Sequence, residues 1–382
     1  MFYVFMNAKP VNPFLIAGYY SPAFFCDREK ETQKLIEALS NNRNVTLISP
    51  RRIGKTGLIH HTFYTLKEQN TNVYCFYLDI FSTQNLRDFV QLFGKSVIGK
   101  LDDFSEKMIK NLSAFFKSFR PTLTFDAVTG EPVVSLDLQP QESEQSLQEI
   151  FEYLKKSNKT IYIAIDEFQQ IIEYPEKGIE ALLRSHIQFL PNVHFIFAGS
   201  KKHLMNEIFS SAQRPFYQST QKIGLKELPI ATYRSFAVHL FANYNKTLDS
   251  NVFDYVYKLM FGHTWYIQII LNYLFSSKTN TYTEQTVNEI VCDILEEENA
   301  TYKTYCEMIT KGQLRVLRAI AAERRVAEPF EHNFMKKHSL TAASSLRLAL
   351  KSLTEKTLLI KDEEGFYCVY DRFFSLWLEK NG

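Results

Sequence analysis

Through roughly the first 226 residues the chain alternates two hydrophobic patterns. Short apolar, β-branched runs stand at Asn44–Ser49, Val73–Ile80, Lys159–Asp166, Val193–Ser200 and Gln221–Lys226. Runs of this kind suit strands covered on both faces of a parallel sheet. Between them the apolar positions follow a helical period, which predicts helices over Glu29–Leu39, Lys55–Gln69, Leu86 to about Phe119, Ser146–Lys156 and Lys201–Phe209. Strand followed by helix, repeated, predicts an α/β core around a parallel sheet. Residues 120–145 interrupt the alternation. Thr122–Asp126 and Pro132–Leu136 flank Thr129-Gly130-Glu131, which reads as a β-hairpin inserted between core elements.

Near Leu228-Pro229 the pattern turns wholly helical and stays so to about Met308. Its aromatic stripe of Phe236, Leu240, Phe241 and Tyr244 reads as packing. The last segment changes again. Helices are predicted at Lys311–Ala322, Phe330–His338 and Thr341–Lys356, the third begun by a Ser/Thr cap. Leu358-Leu359-Ile360 and Phe366–Tyr370, joined at Asp362-Glu363-Glu364-Gly365, make a hairpin. Three helices and a β wing make a winged helix-turn-helix. The predicted division is a core at 1–228, a helical lid at 229–308 and a winged helix at 309–382.

Composition narrows the function classes. At 45% hydrophobic and 23% charged residues, 382 residues are ample for more than one core. A net charge of +2 gives no global basic field for nucleic acid. The five cysteines (Cys26, Cys75, Cys292, Cys306, Cys368) are scattered without a C-x-x-C, which points to reduced thiols in the cytoplasm. The start, Met1–Asn7, lacks the basic region of a signal peptide, and no apolar run approaches about 18 residues. No membrane partner is expected.

Val45–Thr56 concentrates the chemistry. A buried strand runs into Ser49-Pro50-Arg51-Arg52-Ile53-Gly54-Lys55-Thr56, and Gly57 continues the helix that Lys55 opens. This is the layout of a phosphate-binding P-loop. Loop and helix-start amides converge on anionic oxygens, and the helix dipole favours negative charge there. Lys55 can reach the β- and γ-phosphates, and the Thr56 hydroxyl can ligate Mg²⁺. Gly54 brings the backbone close. The G-x-x-x-x-G-K-[ST] pattern has Gly where this chain has Ser49, a position that Ser tolerates if φ is negative.

The second constellation is Ile161–Asp166 followed by Glu167-Phe168-Gln169. Acids at the C-terminal end of a central strand lie where open α/β sheets bind ligands. Asp166 is the candidate Mg²⁺ ligand, partly through water. Glu167 is the candidate base for an attacking water. The competing reading is an Asp-Glu pair that caps the following helix.

Taken together, Phe25-Cys26-Asp27-Arg28-Glu29, Ser49–Thr56, Ile165–Gln169 and Phe197-Ala198-Gly199-Ser200 make the chain resemble the prokaryotic, archaeal-type ATPases of the AAA+/STAND group. The resemblance covers about residues 12–230 well and the remainder in outline. It implies an ATP-binding core, a helical lid and, often, a C-terminal winged helix. It also places Ser200 as a polar γ-phosphate sensor, with a helix cap as the alternative, and sets Asp27, Arg28 and Glu29 near the base, with capping again the alternative. The family's usual Arg is absent at Ser219, which leaves Arg214 as a candidate finger or a surface ion-pair residue. Gly262-His263-Thr264 resembles the lid turn, and His263 is a candidate nucleotide contact or a packed turn residue.

The reading is an ATP-binding, Mg²⁺-dependent ATPase switch, with Lys55, Asp166 and Glu167 catalytic and ATP and Mg²⁺ as cofactors. The alternative is a DNA-binding winged-helix protein for which ATP is structural or regulates assembly. An unidentified protein partner and a nucleotide-dependent oligomer are expected. DNA is a candidate through Arg347, Lys351 and Lys356, which share one helix face, though the wing tip Asp362-Glu363-Glu364 would repel a phosphate backbone.

Overall fold

A computed structural model describes residues 10–98, 100–101, 115–118, 120–125, 132–277, 281–340, 342–362 and 364–381. The chain forms two compact units. One is Ala17–Leu228; the other is Pro229–Gly382 together with residues 10–16.

The first unit is built on five parallel strands. These are β1 (Val45–Ile48), β2 (Val73–Asp79), β5 (Thr160–Asp166), β6 (Val193–Gly199) and β7 (Gln221–Gly224), in the spatial order β2-β5-β6-β1-β7. Side-chain alternation explains why the strands are apolar throughout. Along β5, Ile161, Ile163 and Ile165 enter one core, while Tyr162 and Ala164 enter the core on the other face. Along β6, Phe195 and Phe197 take the first face and Ile196 and Ala198 the second. Helices α1 (Glu29–Ser40) and α2 (Lys55–Gln69) cover one side. Helices α3 (Leu86–Val97), α4 (Ser143–Lys156), α5 (Ile179–Ile187) and α6 (Lys202–Ser210) supply the other. Asn44 pins β1 between its neighbours: its Oδ1 accepts the Phe195 amide at 2.8 Å and its carbonyl accepts the Gln221 amide at 2.8 Å.

The helix expected from Leu86 to about Phe119 ends at Val97. Ile98 is extended, and Ile98 and Leu101 are buried, so the chain leaves the helix to cover the core; residues 102–114 lie outside the described ones. The inserted hairpin is present as β3 (Arg120–Phe125) and β4 (Pro132–Asp137), antiparallel with Arg120 opposite Asp137. Its expected turn at 129–131 lies outside the described residues.

The second unit begins with α7 (Ile230–Ala242), α8 (Ser250–Leu259), α9 (Thr264–Ser276) and α10 (Glu284–Glu297). The N-terminal segment belongs here. Phe14 is fully buried against Phe241 and Phe275, with ring centroids 5.1 and 5.9 Å away. Asn272 donates to the Phe14 carbonyl at 2.7 Å. After α11 (Asn299–Glu307) come α12 (Lys311–Glu323), α13 (His332–Lys337), α14 (Ala343–Glu355) and the antiparallel wing β8 (Leu359–Lys361) and β9 (Tyr367–Val369). Thr310 and Gln313 form a reciprocal capping box on α12. The expected cap of α14 at Thr341 lies outside the described residues; Ala342 stands at the cap without a side-chain bond. A last helix, α15 (Arg372–Lys380), packs on α10, α11 and α12.

Candidate phosphate-binding site

The site gathers at the C-terminal ends of β1, β5 and β6. Strand β1 ends at Ile48, and the Ser49 amide still bonds the Gly199 carbonyl at 3.3 Å. Ser49 is buried and its φ is not positive; the left-handed residues of the loop are Arg52 (φ 66°) and Gly54 (φ 96°). The departure from Gly at position 49 is therefore sterically tolerated. Helix α2 then starts at Lys55 with no side-chain cap and no acid in its first turn. Such a helix start leaves amide donors and a positive dipole end for an anion. At Gly57 a Cβ would stand 3.0 Å from the Phe25 ring, so glycine lets the segment before α1 lie against α2.

Lys55 is 7% exposed and its ammonium lies between two carboxylates. Its Nζ is 2.5 Å from Asp166 Oδ1 and 2.9 Å from Glu167 Oε1. Thr56 Oγ1 donates to Asp166 Oδ2 at 3.0 Å. The Asp166–Glu167 pair caps no α-helix. Glu167 sits in a left-handed conformation (φ 55°), its amide donating to Asp166 Oδ1 at 2.9 Å. That backbone turns the two adjacent acids toward the same lysine. Burial acts to raise both carboxyls, but the Lys55 charge and the surrounding donors outweigh it, so both lie below the ordinary range.

Ser200 donates to Glu167 Oε2 at 2.9 Å. Helix α6 begins only at Lys202, with Lys201 at its cap, so the Ser200 side chain serves the site and not the helix. Arg51 Nε lies 3.4 Å from Ser200 Oγ. Pro50, Arg52 and Ile53 complete the loop. Ile53 is buried, and its carbonyl accepts from the Arg28 guanidinium at 3.0 Å. Arg28 thus supports the loop from the segment expected near the base, and it makes no side-chain cap bond to α1.

Two further contributors escaped the sequence reading. Tyr77 on β2 donates to Asp166 Oδ2 at 2.9 Å, and burial with the Asp166 charge pushes its phenol up. Gln169, 2% exposed, donates to Glu167 Oε2 at 2.6 Å. A Cβ at Gly199 would collide with the Gln169 Oε1 and the Met205 sulfur, so this close approach requires the glycine. A polar tip inside an apolar strand was the only hint of Tyr77; Gln169 had none beyond adjacency to the acids.

Two candidates and the winged-helix charges remain. Arg214 is tied to Glu180 at 2.8 Å and to Glu207, which makes it an ion-pair residue. His263 is in the second unit, at the cap of α9, its ring 5.1 Å from Tyr266. On the wing, whose acidic tip is expected to repel a phosphate backbone, Arg325 bonds Asp362 at 2.9 Å and Glu364 at 3.0 Å; Glu363 lies outside the described residues. Lys356 is exposed, and its Nζ donates to the Met308 carbonyl at 3.3 Å. Among the described residues, no helix is long and apolar enough to cross a membrane.

A family profile described as an ATPase domain predominantly from Archaea matches residues 25–270. The chain belongs to this family. A second profile, a probable winged helix domain, matches residues 300–380. Two ATP-binding proteins of Methanocaldococcus jannaschii, themselves uncharacterized, are similar. One is 27% identical over 213 residues, 52% of this chain and 56% of the relative. The other is 25% identical over 209 residues, 52% of this chain and 53% of the relative. The match thus spans about half the length of these curated relatives. Among solved structures, the Walker-type ATPase of Pyrococcus abyssi shares the fold at a TM-score of 0.63 and 18% identity, over 96% of this chain and 99% of that one. The Aeropyrum pernix ORC2 protein, solved with ADPNP and ADP, follows at 0.59 and 15%, covering 92% of each chain. The Aeropyrum pernix ORC1 protein in complex with DNA gives 0.52 and 12%, covering 97% of each chain. This member of the ATPase-domain family thus has a parallel α/β core and a C-terminal winged helix.

Proposed function

We propose that this ATPase binds and hydrolyses ATP in a Mg²⁺-dependent way and works as a molecular switch of the AAA+/STAND type. The observation that carries the reading is Lys55 held between Asp166 and Glu167 at the uncapped start of α2. A buried ammonium matched to two carboxylates is a site prepared to exchange partners when phosphates arrive. The loop and helix-start amides of Arg51–Gly57 cradle the phosphates, and Lys55 turns to the β- and γ-oxygens. Thr56 and Asp166 offer hard oxygen donors, a set that fits Mg²⁺, which keeps several waters and takes few protein ligands. Bound there, the ion would neutralise developing charge on the phosphates. Glu167, freed from Lys55, accepts the proton of the attacking water. Ser200 reports on the γ-phosphate through its bond to Glu167. Glu167→Gln should retain nucleotide binding and lose about 10²–10⁴-fold in phosphate release, because an amide cannot accept the proton. Unchanged phosphate release would refute this mechanism.

A second reading is favoured by the wing. With Arg325 paired to Asp362 and Glu364, the wing's negative charge is partly compensated, and Arg347 and Lys351 remain exposed on α14. DNA is then a second ligand, with ATP controlling its access or a protein partner's.

A further inference from the structure

The site as described lacks an arginine for the γ-phosphate. Arg214, the candidate by position, is committed to Glu180 and Glu207, and Ser219 stands where the resembling ATPases have Arg. The phosphate loop supplies another guanidinium. We propose that Arg51 contacts the γ-phosphate and acts in cis as the arginine finger of this ATPase. The inference rests on the hydrolytic reading above.

Three observations carry it. Arg51 Nε is 3.4 Å from Ser200 Oγ, which donates to Glu167 Oε2 at 2.9 Å. The guanidinium is thus one hydroxyl away from the carboxylate assigned to take the water's proton. That places it at the γ end of the loop. Second, its charge is uncommitted. Arg51 is exposed and, among the described residues, forms no ion pair, whereas Lys55 and Arg214 each hold two carboxylates. Third, it is positioned by a surface that leaves its donors free. The guanidinium carbon lies 5.7 Å from the centre of the Phe81 ring. Phe81 is 57% exposed, and its amide is fixed by Asp79 Oδ1 at 2.9 Å, at the end of β2 beside Asp166. An aromatic face orients a guanidinium and leaves its N–H groups for an anion.

In the step this serves, the water oxygen bonds to the γ-phosphorus and its proton passes to Glu167. The bond from the γ-phosphorus to the β–γ bridging oxygen breaks. ADP leaves with that electron pair, and inorganic phosphate forms. Negative charge grows on the bridging and γ-oxygens, where a forked cation stabilises the transition state more than the ground state.

The test uses the full-length protein. Phosphate release, ADP affinity and trapping of ADP by aluminium fluoride with Mg²⁺ are measured for the wild type, Arg51→Ala, Arg51→Lys and Arg214→Ala. Arg51→Ala should lose about 10²–10³-fold in kcat and should not trap ADP–aluminium fluoride, while ADP affinity stays within about twofold. Arg51→Lys should recover part of the rate, since the charge remains without the fork. Arg214→Ala should turn over as the wild type does. Wild-type turnover and trapping in Arg51→Ala would overturn the inference. So would an ADP affinity that falls as much as kcat, which would make Arg51 a loop-holding residue. A wild-type protein that binds no ATP would overturn the hydrolytic reading itself, and Arg51 with it.

Discussion

Lys55 and Arg372 are both almost fully buried cations, at 7% and 6% exposure, and they are held in opposite ways. Lys55 faces two carboxylates within 2.9 Å. Among the described residues, Arg372 has no carboxylate within hydrogen-bonding distance. Its Nε donates to the Leu259 carbonyl at 2.9 Å, its guanidinium lies 4.1 Å from the centre of the Phe261 ring, and Glu379 is 3.9 Å away. Burial pushes the Arg372 guanidinium down to about 10, against the opposing pull of Glu379. The difference teaches how to tell a working charge from a structural one. An ion pair that an incoming anion can reorganise belongs to a site. A cation placed on the carbonyl at the end of α8 joins two pieces of structure, here the helices at 230–297 and the winged helix.

Removing each cation tests that distinction, and the larger effect is expected at Lys55. Lys55→Ala leaves the buried Asp166 and the half-buried Glu167 without their counterion, a change that costs about 3–5 kcal/mol of stability when a buried pair is half broken. ATP affinity should fall in parallel, since each charge-assisted contact contributes roughly 1.5–3 kcal/mol. A folded Lys55→Ala protein with wild-type ATP affinity, by titration calorimetry, would remove the phosphate-site assignment.

Arg372→Met keeps much of the apolar volume and deletes the carbonyl contact. It should lower unfolding free energy by about 1.5–3 kcal/mol in a denaturant titration and leave ATP affinity unaltered. If nucleotide affinity fell as far as in Lys55→Ala, the two cations would belong to one functional system and the contrast would collapse.

The smallest effect is expected from the exposed cations of the winged helix. On the face of α14, Arg347 and Lys351 are exposed, Lys351 with Glu355 3.9 Å away. Two phosphate contacts give a slope of about −2 in log affinity against log salt on duplex DNA. A salt series with the full chain reads this directly. Nanomolar binding with a steep slope would show that charge outside this helix contributes, and would move the DNA reading forward.

Much of the candidate site could be read along the chain because its motifs are local. Gly54-Lys55-Thr56 is contiguous, and Asp166-Glu167 ends a run whose uniform apolarity already implied a strand covered on both faces. The parallel sheet and the wing followed from periodicity. Strand order did not, because periodicity describes what each strand buries and carries no record of its neighbours.

The tertiary structure decided the partners. Lys55 meets Glu167 across 112 residues of chain, and Thr56 meets Asp166 across 110. Ser200 is expected as a γ-phosphate sensor or a helix cap, and local sequence favours neither; α6 starts two residues later and the Ser200 hydroxyl bonds Glu167. Along the chain Arg214 reads as a finger or an ion-pair residue, and Arg51 reads only as part of the phosphate loop. The fold spends one on Glu180 and Glu207 and brings the other to Ser200. The physical reason is the same throughout. Propensity and period act over a few residues, whereas a buried charge finds its counterion wherever the packing of strands and helices brings one near.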